Sequence, residues 1–184
     1  FDGQYEGLPG DLNNAIDFWG AYNVGPPIVG SYDGDDDGEI LAGSCGTIAC
    51  DEPIHAWHQL LQAELIQTEL SAPGSTVTAT NSVTIPESDF ITSAGYWLAY
   101  VAAPFGHQDA LSRNFPGNYL NMGNSVAVLS VKDALYIDRK IDDATPYGNV
   151  LGGPATNCVT GSNPNKTYLK TASGDDCYLL FRVE

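Results

Sequence analysis

A chain of 184 residues that is 43% hydrophobic can bury one sizeable core, so a single domain over 1–184 is expected. Its 23 acidic residues against seven basic ones leave a formal charge of −16 at pH 7. That field repels nucleic acid and anionic membrane surfaces, so direct binding of DNA or RNA is not expected.

Taken in order, residues 1–10 are rich in turn formers, with Phe1 and Tyr5 spaced as on one helix face. Asp11 stands where it can N-cap a short helix through about Trp19, with Leu12, Ile16 and Trp19 on one side. Residues 20–52 are rich in glycine and too long for an ordinary connection, which favours a functional or metal-ordered loop. Within them, Asp33, Asp35, Asp36, Asp37 and Glu39 put five carboxylates into seven positions. Asp33, Asp35 and Asp37 alternate, Gly38 follows at the sixth position and Ile40 at the eighth, the first half of a looped Ca²⁺ site. Alternate side chains of a tight turn can aim their oxygens at one hard cation, and the glycine permits the bend. Without a cation each close carboxylate pair repels by roughly 1 kcal/mol in water. The bland reading is a solvated acidic loop. Ser44 occupies the twelfth position, where such loops usually carry Glu, so a further ligand has to come from beyond; Asp51 and Glu52 are nearest.

A helix is predicted from Asp51 or Glu52, with Pro53 in its first turn and Ile54, Trp57, Leu61, Leu65 and Thr68 at the helical period. His55 and His58 lie three apart on it, a spacing that suits a shared metal but lacks a third ligand, so a partly exposed ordinary pair is expected. His107, in a loop flanked by Pro and Gly, has still less to recommend it as a ligand. Alternation at Val77, Ala79, Val83 and Ile85 suggests short edge strands, Gly95–Val101 reads as a strand, and Tyr119–Leu129 as another broken by Gly123. Ser130 and Asp133 form a capping box for a helix carrying Val131, Ala134, Leu135, Ile137 and Ile141, ended by Pro146 and Gly148. Thr167–Thr171 and Tyr178–Val183 read as a terminal hairpin around Ser173-Gly174-Asp175. Early helices and later strands argue for α+β with an antiparallel sheet.

Cys45, Cys50, Cys158 and Cys177 form an even set without a C-x-x-C pair, which disfavours thiolate zinc and thioredoxin-type chemistry. Three pairings are open; local closure favours Cys45–Cys50 and Cys158–Cys177, the second closing 18 intervening residues for roughly 3 kcal/mol. Paired cysteines imply the periplasm or the exterior of the cell. The longest apolar run, Tyr96–Ala103, is too short to span a bilayer. The start at Phe1, without an initiator Met, reads as that of a processed or truncated fragment. No G-x-S-x-G, P-loop or G-x-G-x-x-G is present, and Asp142-Asp143 beside Arg139-Lys140 reads as helix-end charge pairing rather than acid/base chemistry. No enzyme is expected.

Several stretches, in order, resemble the soluble domain of type IV pilin-like proteins, the pilins and the type II secretion pseudopilins. Phe1-Asp2-Gly3-Gln4-Tyr5-Glu6-Gly7-Leu8-Pro9-Gly10-Asp11 is similar to the family's F-x-x-K-Y-x-x-L-P-G-D segment, continued by Asn14-Ala15 and Phe18-Trp19-Gly20. The acidic run resembles N-G-D-G-D-G-x-I, and Glu52 matches a glutamate that precedes the next helix. Ala56-Trp57-His58-Gln59-Leu60 resembles A-W-Q-H-L, and Ile85-Pro86-Glu87-Ser88 with Ala94-Gly95-Tyr96 resembles P-x-S … N-A-G-Y. Ala134-Leu135-Tyr136-Ile137-Asp138-Arg139-Lys140-Ile141-Asp142-Asp143 resembles A-x-x-I-D-x-K-x-D-D-G, except that Ala144 replaces the glycine, so a different or less strained turn is expected there.

The resemblance implies an antiparallel sheet packed on an N-terminal helix, a C-terminal loop closed by a disulfide that Cys158 and Cys177 fit, and a membrane-anchoring assembly helix preceding Phe1. It implies a structural subunit, without chemistry of its own, of a filament built with other pilin subunits outside the cell or in the periplasm. Ca²⁺ would be held by Asp33, Asp35, Asp37 and Glu52 with the backbone carbonyl of Glu39, Cys45–Cys50 bracing the span between. The other readings are a tip-located adhesin, with Tyr32, Trp97 and Tyr119 as conceivable contacts, and more distantly a secreted Ca²⁺-dependent hydrolase.

Overall fold

The computed structural model describes residues 1–20, 22–23, 29–30, 33–41, 52–68, 70, 85–88, 94–102, 116–122, 127–153, 157–161, 165–171 and 174–183. Cys45, Cys50, Tyr32, Asp51, His107, Gly123 and the edge strands expected over 77–83 lie outside them. The chain divides into two compact units, Phe1–Glu87 with Trp97–Ala99, and Ser88–Tyr96 with Tyr100–Glu184.

In the first unit, α1 (Asp2–Tyr5) and α2 (Ala15–Trp19) are too short to persist by propensity alone. Rings hold them instead. Phe1 and Tyr5 lie 4.7 Å apart and Tyr5 and Trp19 5.0 Å, packed against buried Leu12 and Ala15. The helix expected from Asp11 therefore begins four residues later, because Asp11 is drawn into the acidic loop. A two-residue antiparallel pair, β1 (Tyr22–Asn23) with β2 (Val29–Gly30), follows. The next helix, α3 (Glu52–Gln62), buries all eight residues from Glu52 to Gln59, so it runs inside the unit. It stops short of Leu65 and Thr68. Leu65 donates its N–H to the Leu60 carbonyl across Glu64, whose φ is 59°, closing the end as a Schellman turn. Leu65 is exposed as a result.

The second unit is built on β9 (Asp175–Val183). β4 (Gly117–Met122) pairs antiparallel with it, Asn118 opposite Val183 and Met122 opposite Leu179. β6 (Val150–Gly153) pairs from Val150–Phe181 to Gly153–Tyr178, and the short β5 (Leu129–Ser130) places Leu129 opposite Cys177. β3 (Tyr96–Val101) adjoins β4 in the strand order. Alternation along β9 divides the core by face. Cys177 and Leu179 join the cluster with Val131 and Ala134 of α4 (Val131–Ile141), while Leu180 joins Tyr119 and Leu151. The strand expected over 119–129 with a break at Gly123 is represented by two elements, β4 and β5. The terminal hairpin is re-paired as well. β8 (Thr167–Tyr168) pairs with β7 (Val159–Thr160), not with the last strand. Cys158 is bonded to Cys177, Cα atoms 4.9 Å apart, and Leu169 donates its amide to the Cys158 carbonyl, which commits this segment to β7. The fold class is α+β.

Ser130 caps α4, its hydroxyl accepting from the Asp133 amide, as the S-x-x-D spacing predicts. At the other end Ala144 has φ of 65°. Alanine in the left-handed region is strained by roughly 1–2 kcal/mol, so the turn keeps the glycine-type conformation with a residue unsuited to it. The relaxed turn expected from Ala144 is not what the chain adopts. Ala144→Gly should raise the unfolding free energy by about 1 kcal/mol, part of the relief being offset by added freedom in the unfolded chain. Urea denaturation checks this, and a neutral or lower stability would count against strain at that position.

Candidate cation site and a second aspartate cluster

Residues 8–12 form the seat of the acidic loop in the first unit. Gly10, at φ 95°, stands where any Cβ would meet the Glu52 carbonyl and Ala56 at the start of α3, and its N–H donates to the Gln59 side-chain oxygen at 2.6 Å. Any Cβ at Gly34 would meet the backbone of Gly10 and Asp11. The loop can lie this close only because Gly34 has no side chain. Two backbone bonds then join the strands of chain, Gly34 N–H to the Leu12 carbonyl at 2.6 Å and Asp36 N–H to the Asp11 carbonyl at 2.9 Å.

The carboxylates divide into two kinds. Asp11, Asp35 and Asp37 each place one oxygen within 4.8 Å of the others, an arrangement that suits a shared metal ion. Asp35 and Asp37 are exposed, whereas Asp11 is buried. The two oxygens of Asp11 accept from the Asp37 amide at 3.1 Å and the Gly38 amide at 3.0 Å. Burial pushes its carboxyl above the ordinary value; those two amides pull it back, and the charges of Asp37 and Asp35 raise it further. Asp37 also accepts from the Glu39 amide at 2.8 Å.

The remaining predicted ligands serve the backbone in the described contacts. Asp33 accepts from the Ile16 amide at 2.9 Å and so supplies the cap that the Asn14 side chain does not give α2. Glu52 is fully buried and accepts twice, from the Asp35 amide at 3.2 Å and the Leu41 amide at 2.7 Å. Of the expected ligands, Asp35 and Asp37 are brought together, Asp33 and Glu52 bind amides around them, and Glu39 enters through its N–H. Asp11 was missed as a member of the cluster, having been assigned to a helix cap. Its place directly after Leu8-Pro9-Gly10 was the available signal, since that turn-forming run leaves it free of a helix. His55 and His58 are buried rather than partly exposed, and neither joins a potential ligand group among the described residues.

A second cluster, Asp138, Asp142 and Asp143, lies at the end of α4 in the other unit. Asp138 is buried and accepts from the Tyr168 hydroxyl at 2.7 Å and the Ala144 amide at 3.3 Å. Asp142 takes the Asn149 and Val150 amides, and Asp143 takes the amide and hydroxyl of Thr145. These bonds fold the 142–150 turn onto the helix. The partners expected for Asp142 and Asp143 were the adjacent cations; backbone amides take that place. Burial lifts the Asp138 carboxyl to about 6, the Tyr168 and Ala144 bonds opposing it and the Asp143 and Asp142 charges adding to it. The Tyr168 hydroxyl is pushed up by its burial and by the same carboxylate.

Compared with models of known protein families, with curated proteins and with solved structures, the chain matches none.

Because the folded Asp138 carboxyl holds its proton more tightly than an unfolded one, near 3.8, its contribution to stability is full below that value. It fades as pH rises through about 6. Relative to Asp138→Asn, the wild-type chain should gain melting temperature as pH falls from roughly 7 to roughly 4. Parallel thermal melts of the two proteins across that range test the sign, and a gap independent of pH would overturn it.

Proposed function

We propose that this chain is the globular part of a structural subunit in a type IV pilus-like filament, outside the cell or in the periplasm, and that Ca²⁺ clasps its acidic loop. The observation that supports this best is a convergence. Leu8–Asp11, Asp33–Ile40 and Glu52, three separated parts of the family resemblance, meet at one junction in the first unit. A pattern spread over more than forty residues is thereby accounted for by one local structure. The α+β architecture and the Cys158–Cys177 bond agree with the same reading.

The donor chemistry favours a hard cation. Asp11, Asp35 and Asp37 offer only oxygen, and oxygens bound to Ca²⁺ at about 2.4 Å lie no more than about 4.8 Å apart, the limit within which these three fall. All three would bring charge, Asp11 from a buried position and Asp35 and Asp37 from exposed ones, and Glu52 would keep the surrounding backbone in place. The ion would neutralise carboxylates that otherwise repel one another, which makes it a structural clasp rather than a switch. The proposed role requires no catalysis, and the partners are other subunits, reached through an assembly helix upstream of the globular part.

Ca²⁺ at about a hundredfold over its dissociation constant should stabilise the chain by about 2.7 kcal/mol relative to EDTA, a rise of roughly 5–10 °C for this size. Asp35→Asn and Asp37→Asn should each remove most of that rise in calorimetry. An unchanged wild-type melting temperature would sink the calcium assignment. The filament assignment has its own test. Antibodies against the chain should label filaments sheared from the producing cells; recovery of the chain only as a soluble monomer would refute it.

A further inference from the structure

Seven basic residues are a scarce resource in this chain, and three of them, Lys132, Arg139 and Lys170, line one cleft of about 590 Å³ in the second unit. The cleft runs between α4 and the segment around β8, and its volume falls within the range usual for small-ligand sites. Its floor is fixed. Tyr168 is buried, its hydroxyl donates to Asp138 at 2.7 Å, and its ring fills space that any Cβ at Gly152 would occupy. The wall carrying Tyr168 is tied down by the β7 pairing and by the Cys158–Cys177 bond. Tyr136 lines the cleft too and is 61% exposed, the most exposed large hydrophobic side chain described.

We propose that this cleft binds an acidic saccharide, one or two sugar rings bearing carboxylates. Three features select that class. Arg139 offers a planar fork that can pair with a carboxylate through two hydrogen bonds, and Lys132 and Lys170 add positive charge to the lining. Leu135, Ala144 and the rings of Tyr136 and Tyr168 give an apolar surface to a ring-shaped body, for which a bare inorganic anion has no use. Asp133 and Thr167, also in the lining, offer acceptors to the hydroxyl groups that a saccharide carries. Long polyanions are disfavoured as well. A ligand long enough to extend past the cleft runs along the surface of a protein of charge −16, so attraction is confined to the cleft. The binding does not depend on whether the chain is a filament subunit.

The experiment is a ¹H–¹⁵N titration of the chain with digalacturonate, with lactose as the neutral control and inorganic phosphate as the bare-anion control. Saturable shifts are expected at residues of α4 and β8, with affinity about tenfold or more above either control. Arg139→Gln and Tyr136→Ala, both at exposed positions, should each weaken binding at least about tenfold while leaving the spectrum of the folded chain intact. Lys170→Gln, in an exposed turn, repeats the test should either variant fail to fold. Absence of shifts at α4 and β8, equal binding of lactose or phosphate, or unchanged affinity in Arg139→Gln would overturn the proposal. So would shifts at these residues that depend on protein concentration alone, the sign that a second copy fills the cleft.

Discussion

A fully buried carboxylate holds the first unit together. Glu52 opens α3 with no exposure to solvent, and its two oxygens each take a backbone N–H, from Asp35 and from Leu41. Burying a carboxylate without partners costs several kcal/mol. That cost is avoided only while the acidic loop lies where its amides point at Glu52, so helix and loop specify each other. Gly10 and Gly34 make the approach sterically possible, and Asp11 repeats the device from the opposite side with the amides of Asp37 and Gly38.

The second unit solves a similar problem in a similar way. Asp138 is buried at the end of α4 and takes the Tyr168 hydroxyl and the Ala144 amide, while Asp142 and Asp143 gather the turn that follows. With 23 acids and seven bases, most carboxylates in this chain cannot find a cation within it. Backbone amides in loops are the available donors, and the chain uses its acids as loop organisers. Where three carboxylates converge, as at Asp11, Asp35 and Asp37, their oxygens lie close enough together to suit a shared cation. The few bases have a corresponding concentration, three of the seven lining one cleft.

Much of this was legible in the residues. The S-x-x-D box placed the start of α4 because capping is local, the aromatic-rich apolar run 96–101 gave β3 its place because such residues favour a strand, and the alternate aspartates marked a compact acidic loop because the spacing acts within one turn. Cys158–Cys177 followed from local closure. Each of these depends on neighbours in sequence, so the chain by itself determined them.

What the tertiary structure decided depends on contacts between distant segments. Asp11 left its helix because loop amides 26 and 27 residues away compete for it. β8 left the terminal hairpin for β7 because the disulfide and the Tyr168–Asp138 bond, spanning 30 residues, hold it elsewhere. His55 and His58 became buried because the first eight residues of α3 are enclosed on every face, which a one-faced periodicity does not announce. Ala144 adopts a glycine's conformation because Asp138 holds its amide. Spacing reveals what a residue can reach within a turn or two; which of several possible partners it takes is settled only when the remote ones arrive.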